Sequence, residues 1–351
     1  MFKKVLLITT GNCGGSERVT LTMSQILHKQ SFKVKNIVLE LDSKEELVPF
    51  IPIEIPVERI KIKRLRNSLF LLYKIIKRER PDFVFSSISL IGVMLILLSG
   101  FFRNVKVIVR QGFMPLAALD GSPYLIKWFY KYAYKIIAQT EQMKESMIEE
   151  YGIKEELIAV VHNSIDEVYI NTNINAVSPY VASNSTNFVA AGRIGVFKDY
   201  ETLIKAFELV NIRNKNAHLY ILGADYDKEY SRYIRNLVSE KKLKDFVHFE
   251  GYTNNPYRYI YNSDCFVLSS ITEGLPNVML EALYLKIPVV ATKCIPFVAE
   301  TIKEGETGYC VDVKDYKNMA IAMEKAVLLK GNISKEFNTP DENLLLSIFQ
   351  S

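Results

Sequence analysis

Three glycine-bearing stretches of this chain combine backbone amides with charged side chains that could meet a polar or anionic ligand. In the first, Gly11, Gly14 and Gly15 follow the apolar run Val5–Thr10 and lead into Ser16, Glu17 and Arg18, where a helical pattern begins. Glycines in such a turn let the backbone approach a ligand, and the unpaired N–H groups of the first helical turn favour negative charge. The spacing is neither GxGxxG nor GxxxxGK[ST], which weakens a dinucleotide or P-loop reading. A simple tight turn is the plain alternative.

The second stretch runs from Gly192 to Asp199 and places Arg193 and Lys198 at the end of an apolar run, just before a helix expected near Tyr200. An arginine fork, a lysine point charge and a helix start together would suit a diphosphate; two solvated cations would look the same. The third stretch is the most informative. Glu273, Gly274, Leu275, Pro276, Asn277 and Glu281 follow Ser269 and Ser270. Pro276 suits a helix's first turn, so Glu273 falls in the loop and Glu281 inside the helix. Loop and helix N–H groups could meet anionic oxygens there, and the carboxylates could meet sugar hydroxyls.

Elements that could position these groups are legible. Strands are expected at Val5–Thr9, Val34–Leu39, Phe83–Ser86, Val105–Val109, Ile136–Ala138 and Ile158–Val161. Helical patterns lie between them at Glu17–Gln30, Ser68–Arg80, Tyr124–Tyr134 and Glu141–Tyr151. The alternation pauses between residues 163 and 187 and then restarts, with strands at Asn187–Ala191, His218–Leu222, Val247–Glu250, Cys265–Ser269 and Val289–Ala291. Helices are expected at Glu201–Val210, Tyr230–Lys241, Pro256–Asn262, Pro276–Leu285 and Lys317–Lys330. Strands alternating with helices imply parallel sheets covered on both faces. We read an α/β chain of two doubly wound domains, 1–165 and 166–335, with 336–351 returning towards the first. Ligands of such folds sit outside the carboxyl ends of the strands, here in a cleft between the domains.

The Gly14–Arg18 loop, the block from Gly192 through Asp199 to Phe207 and the block from Ser269 to Ala282 resemble family 4 retaining glycosyltransferases, in the same order along nearly the whole chain. The resemblance implies the GT-B architecture, two Rossmann-like domains. It implies that Arg193 and Lys198 bind a donor diphosphate, that Glu281 holds the nucleotide ribose, and that Glu273 with Gly274, Leu275, Pro276 and Asn277 contacts donor sugar and phosphate. Gly15 would lend an amide to the diphosphate, and Tyr252, after Gly251, would line the base site. Asn163–Asp166 is similar to an interdomain motif of that family, with Ser164 in place of glycine. Many members carry a histidine near the reacting sugar. Here the stretch reads Val109, Arg110, Gln111, Gly112, and none of His28, His162, His218 and His248 is placed to replace it. Either Arg110 or Gln111 takes part, or no side-chain base is required; Arg110 and Gln111, with Glu17, are candidates on the acceptor side.

Composition narrows the rest. At 49% hydrophobic and 24% charged, the chain is neither disordered nor fibrous. Cys13, Cys265, Cys294 and Cys310 are scattered, which argues against a zinc knuckle or a disulfide scaffold and fits a reducing cytoplasm. Asp225 and Asp227 form a DxD, a metal signature of another glycosyltransferase architecture, but a surface loop explains them as well. No metal or other cofactor is expected. The net charge is +8 over residues 1–165 and −3 over the rest, so an anionic partner is expected on one side. Nine cations lie between Arg59 and Arg80, with Leu65, Leu69, Leu72 and Ile76 as a core-facing stripe. Lys127, Lys131 and Lys135 lie among Trp128, Phe129, Tyr130, Tyr132 and Tyr134. Basic and aromatic residues together suit a membrane surface; nucleic acid, lacking any binding signature, ranks below it. The most apolar run, Ile88–Phe102, is 15 residues long, short of the roughly 20 that span a bilayer.

The expectation is a cytoplasmic glycosyltransferase, peripheral on the inner face of the membrane. It would transfer a hexose or N-acetylhexosamine from a nucleotide diphosphate sugar, UDP-linked for preference, to a lipid-linked or membrane-proximal glycan. A nucleotide-sugar epimerase would act without any acceptor. A non-catalytic partner would bind the donor and transfer nothing.

Overall fold

A computed structural model describes residues 2–12, 14–41, 50–112, 123–174, 177–180, 185–333 and 342–350. Cys13 lies outside these. The chain divides into two compact units, Met1–Asp166 with Thr339–Ser351, and Glu167–Asn338.

The first unit is built on a seven-stranded sheet ordered β3-β2-β1-β4-β5-β6-β7. Its strands are β1 (Lys4–Thr10), β2 (Lys33–Glu40), β3 (Val57–Lys61), β4 (Phe83–Ser86), β5 (Lys106–Arg110), β6 (Lys135–Ala138) and β7 (Ile158–Val160). All pairings are parallel. The order reverses beside β1, the switch point where such sheets open towards ligands. Helices α1 (Gly15–Lys29), α2 (Leu69–Glu79), α3 (Ser89–Ser99), α4 (Pro123–Phe129) and α5 (Glu141–Tyr151) connect the strands. Alternate residues of the central strands face different helices. Leu6, Ile8, Val84, Val107 and Val109 pack with α2, α3 and α5; Val5, Leu7, Phe83, Phe85 and Ile108 pack with α1.

The second unit has a six-stranded sheet ordered β10-β9-β8-β11-β12-β13. Its strands are β8 (Thr186–Ala191), β9 (Ala217–Leu222), β10 (Val247–Gly251), β11 (Cys265–Leu268), β12 (Val289–Thr292) and β13 (Gly308–Val311). They too pair in parallel. The helices are α6 (Glu167–Asn173), α7 (Tyr200–Arg213), α8 (Lys228–Glu240), α9 (Tyr257–Asn262), α10 (Asn277–Tyr284), α11 (Pro296–Thr301) and α12 (Tyr316–Val327). The last helix, α13 (Glu342–Gln350), belongs to the first unit. There Phe349 is fully buried, with its ring 5.5 Å from that of Phe83 and 6.3 Å from that of Phe32.

Several expectations change. The apolar run from Ile88 is α3, buried on nearly all sides, and β3, β13, α6 and α11 are additional elements. Tyr124–Tyr134 is not one helix. α4 ends at Phe129, and a 3-10 turn over Tyr130–Tyr132 follows. Leu69 is 39% exposed, because α2 begins there, so its core side is Leu72, Ile75 and Ile76. Part of the basic run is neutralised locally: Arg59 pairs with Glu40, and Arg78 with Glu58 and Glu79. Glu79 also takes Lys35 at 2.7 Å and Lys4 at 2.8 Å. These hydrogen bonds, the Lys35 bond foremost, pull its carboxyl down to about 2. Among the described residues, no helix is long and apolar enough to cross a membrane.

Candidate functional site

In the second unit the carboxyl ends of β8 and β11 bring two of the proposed site residues together. β8 is a buried apolar strand, and the chain leaves it through Gly192, where φ is +154°. A Cβ at Gly192 would lie 2.7 Å from Cε of Lys198, so the glycine makes room for the lysine stem. A 3-10 turn over Val196–Lys198 then swings Lys198 towards the loop after β11. Its Nζ is 2.5 Å from Oε1 of Glu273, and the two side chains are 14% and 13% exposed.

That loop is fixed by hydrogen bonds from three sides. Ser269 Oγ donates to the carbonyl of Lys198 at 2.8 Å, and the amide of Ile271 donates to that of Phe197 at 2.8 Å. Thr292 Oγ1, at the end of β12, donates to the carbonyl of Ser270 at 2.5 Å. Ser270 Oγ donates to Oε1 of Glu273 at 2.6 Å. Glu273 thus receives a cation and a hydroxyl on one oxygen. A lysine balanced by a single carboxylate in a half-buried site can exchange that partner for a phosphate, since both offer charged oxygens.

Arg193 leaves the same loop on the other side of β8. It is exposed, with its guanidinium over the ring of Tyr226 at 4.5 Å. β8 lies between β9 and β11, so Arg193 faces the β9 loop and Lys198 the β11 loop. Glu281, inside α10, is 3% exposed and accepts a hydrogen bond from Tyr257 of α9 at 3.3 Å. Gly274 and Asn277 are half-buried, while Leu275 and Pro276 are buried. Tyr252 is 42% exposed after Gly251.

Two details of the expected clamp are corrected. The start of α7 is not free for a ligand: Asp199 caps it, accepting from the amide of Thr202 at 3.4 Å and from its hydroxyl at 2.7 Å. Pro276 stands just before α10 rather than in its first turn, with ψ of 83°, and no side chain caps that helix. Asp225 and Asp227 have structural partners. Asp225 pairs with Arg235 at 3.2 Å, and Asp227 caps α8 through the amides of Glu229 and Tyr230. Among the described residues no group of three or more His, Cys, Asp or Glu is arranged to hold a metal. Burial pushes the thiol of Cys294 up to about 12, helped by the charge of Glu273, so this thiol beside the site stays protonated.

In the first unit the expected residues lie at the carboxyl ends of β1 and β5. Gly15 is the first residue of α1, and Gly14 precedes it without a side-chain cap. Glu17 is 7% exposed and accepts from the hydroxyl of Thr10 at 2.6 Å. Arg110 and Gln111 are 3% and 1% exposed. The side-chain amide of Gln139 donates to the carbonyl of Gln111 at 2.8 Å. His162 lies beside this cluster, its Nδ1 2.7 Å from the carbonyl of Gln139. Gln139, His162 and Tyr257 were not expected as site residues. Gln139 and His162 directly follow runs legible as strands, and that position was the available signal.

The profile for "Glycosyltransferase Family 4" matches residues 13–168, and that for "Glycosyl transferases group 1" matches residues 178–339. The chain belongs to the group 1 glycosyltransferases. This glycosyltransferase is 31% identical, over 66% of its length and 60% of the other's, to an uncharacterized glycosyltransferase of Methanocaldococcus jannaschii. It is 26% identical to the amylovoran biosynthesis glycosyltransferase AmsD of Erwinia amylovora, over 89% of this chain and 86% of that one. A Campylobacter jejuni relative is 23% identical over 91% and 88%. That protein is the N-acetylgalactosamine-N,N'-diacetylbacillosaminyl-diphospho-undecaprenol 4-alpha-N-acetylgalactosaminyltransferase. Among solved structures, Anabaena Alr3699/HepE in complex with UDP-glucose matches with a TM-score of 0.78, covering 99% of this chain and 98% of that one at 16% identity. The glycosyltransferase has the GT-B fold.

Proposed function

We propose that this glycosyltransferase moves a hexose or N-acetylhexosamine, with retention at the anomeric carbon, from a UDP-sugar to a saccharide carried on a lipid or held close to the membrane, during assembly of a surface polysaccharide. The Lys198–Glu273 pair at the strand ends of the second unit carries the reading. The Campylobacter relative, named for a diphospho-undecaprenol acceptor, supports the acceptor class.

In this reading the second unit binds the donor. Lys198 releases Glu273 to meet the diphosphate, Arg193 reaches it from the other side of β8, and the uncapped start of α10 faces its oxygens. Glu281 takes the ribose and Tyr252 borders the base. As the bond from the anomeric carbon to the diphosphate breaks, negative charge grows on the departing oxygen. Lys198 then interacts more strongly with the transition state than with the bound donor, which is what speeds the reaction. The acceptor hydroxyl bonds to the anomeric carbon, and its proton passes to the departing phosphate oxygen. Neither a metal ion nor a side-chain base is required in this scheme.

The first unit takes the acceptor and rests on the inner face of the cell membrane. Supporting this are exposed rings beside cations. Phe70 and Phe101 are 66% and 74% exposed, with Lys74 4.5 Å above the Phe70 ring. Trp128 and Tyr132 are 65% and 66% exposed among Lys127 and Lys131. Rings at headgroup depth with lysines near lipid phosphates suit an anionic surface.

Glu273→Gln tests the site. The amide keeps the hydrogen bond from Ser270 but frees Lys198 of its counter-charge. UDP should bind at least as tightly as in wild type, whereas transfer falls roughly 10²-fold or more because Glu273 no longer orients the sugar. Calorimetry with UDP and a radiolabelled transfer assay read the two effects. Wild-type transfer rates would remove Glu273 from the site.

A further inference from the structure

The carboxyl end of the first sheet carries a charge that the scheme above does not use. Arg110 ends β5 and is 3% exposed. Strand alternation sets its side chain on the face of Ile108, which packs with Val19 and Met23 of α1. Its guanidinium donates to Oδ1 of Asn163, just past β7. Nδ2 of Asn163 donates to Oε1 of Gln139 at 3.1 Å, and Nε2 of Gln139 donates to the carbonyl of Gln111 at 2.8 Å. Every group in this chain of bonds except the guanidinium is neutral.

Among the described residues no carboxylate pairs with Arg110, whose guanidinium bonds to the neutral amide of Asn163. Burial alone draws the guanidinium down to about 9, so it remains charged at neutral pH. A buried cation without a counter-charge is costly, and folds normally pair it. A guanidinium has five donors in a planar fork, more than one amide oxygen can satisfy. An oxyanion able to take two of them side by side would supply the counter-charge.

We propose that Arg110 binds a phosphate or diphosphate oxygen of the glycosyl acceptor, and that Asn163, Gln139 and Gln111 are positioning residues for the guanidinium. The inference rests on the reading above, in which the donor diphosphate is held by Lys198 in the second unit and the acceptor is lipid-linked. The two diphosphates share one chemistry, so the experiment separates them.

The full chain is first saturated with UDP and then titrated with inorganic pyrophosphate by calorimetry. Wild type should bind pyrophosphate in the presence of UDP. Arg110→Gln should weaken that binding about tenfold or more, leaving UDP affinity within twofold. Asn163→Asp sets a carboxylate against the guanidinium while keeping the arginine. It should block pyrophosphate equally and hold or raise the melting temperature, so it decides the matter if Arg110→Gln fails to fold. An arginine with only a structural role predicts unchanged pyrophosphate binding in Asn163→Asp, which would overturn the proposal. So would absence of pyrophosphate binding in wild type, or a parallel loss of UDP affinity in Arg110→Gln, which would move Arg110 to the donor. Lys198→Ala serves as the separate control: unchanged UDP affinity there would fault the donor reading alone.

Discussion

Lys198→Ala should lower kcat/KM for sugar transfer on the order of 10²–10³-fold, the loss seen when one preorganised stabiliser of developing negative charge is removed. Most of the effect should fall on kcat, because the lysine's charge matters most as the diphosphate departs. The fold should survive. Glu273 keeps its hydrogen bond from Ser270, and at 13% side-chain exposure it retains access to water. Steady-state kinetics with a circular dichroism melt for each variant separates lost chemistry from lost structure. Near-wild-type kcat in a folded Lys198→Ala protein would take the lysine out of the mechanism.

Gly223→Ala should be among the most destabilising single changes in the second unit. The residue sits at φ of +154°, and a Cβ there would lie 2.0 Å from the carbonyl oxygen of Gly192 and 2.6 Å from its carbon. That contact is backbone against backbone, so no side chain can turn away. The loops it would force apart are laced together. The amide of Gly192 donates to Leu222 at 2.8 Å, that of Ile194 to Ala224 at 2.9 Å, and that of Gly223 to Gly251 at 2.7 Å. Backbone strain combined with overpacking costs roughly 3 kcal/mol or more. In a unit of this size that is a fall in Tm of about 6–12 °C. Gly152→Ala is the control: its φ of +63° is also left-handed, but nothing lies within 4 Å of the added carbon, so only about 1–2 kcal/mol of conformational cost applies. Thermal melts of the two variants should differ clearly. Equal small shifts would mean that the contact between the β8 and β9 loops is not as tight as described. Because the Gly192 loop carries Arg193 and Lys198, Gly223→Ala should also depress transfer well below the melting temperature.

The elements that were legible in the sequence share a physical reason. Strands such as β1, β4, β8 and β11 are buried on both faces, so they read as short runs of Val, Ile, Leu and Phe between polar turns. β3 escaped because it is an edge strand whose charged residues make ion pairs, Glu58 with Lys35 and Arg59 with Glu40. Its composition resembled a basic surface segment. α3 escaped for the opposite reason: it is apolar nearly all round, so it has no amphipathic period to detect. In the site, Lys198 and Glu273 could be picked out because each lies in a dense local motif. The environment of Arg110 could not be. Asn163 and Gln139 come from loops after two other strands, and only the parallel sheet brings these ends together. The capping of α7 by Asp199 was likewise hidden, since an aspartate before a helix can face either the ligand or its own helix amides.

The central claim is that the strand ends of the second unit hold the donor diphosphate through Lys198. A crystal structure of the full chain with UDP tests it most directly. The account predicts a phosphate oxygen within about 3 Å of the Lys198 ammonium, with Glu273 lengthened from its present 2.5 Å contact. UDP bound with its phosphates elsewhere, and the Lys198–Glu273 contact unchanged, would contradict it.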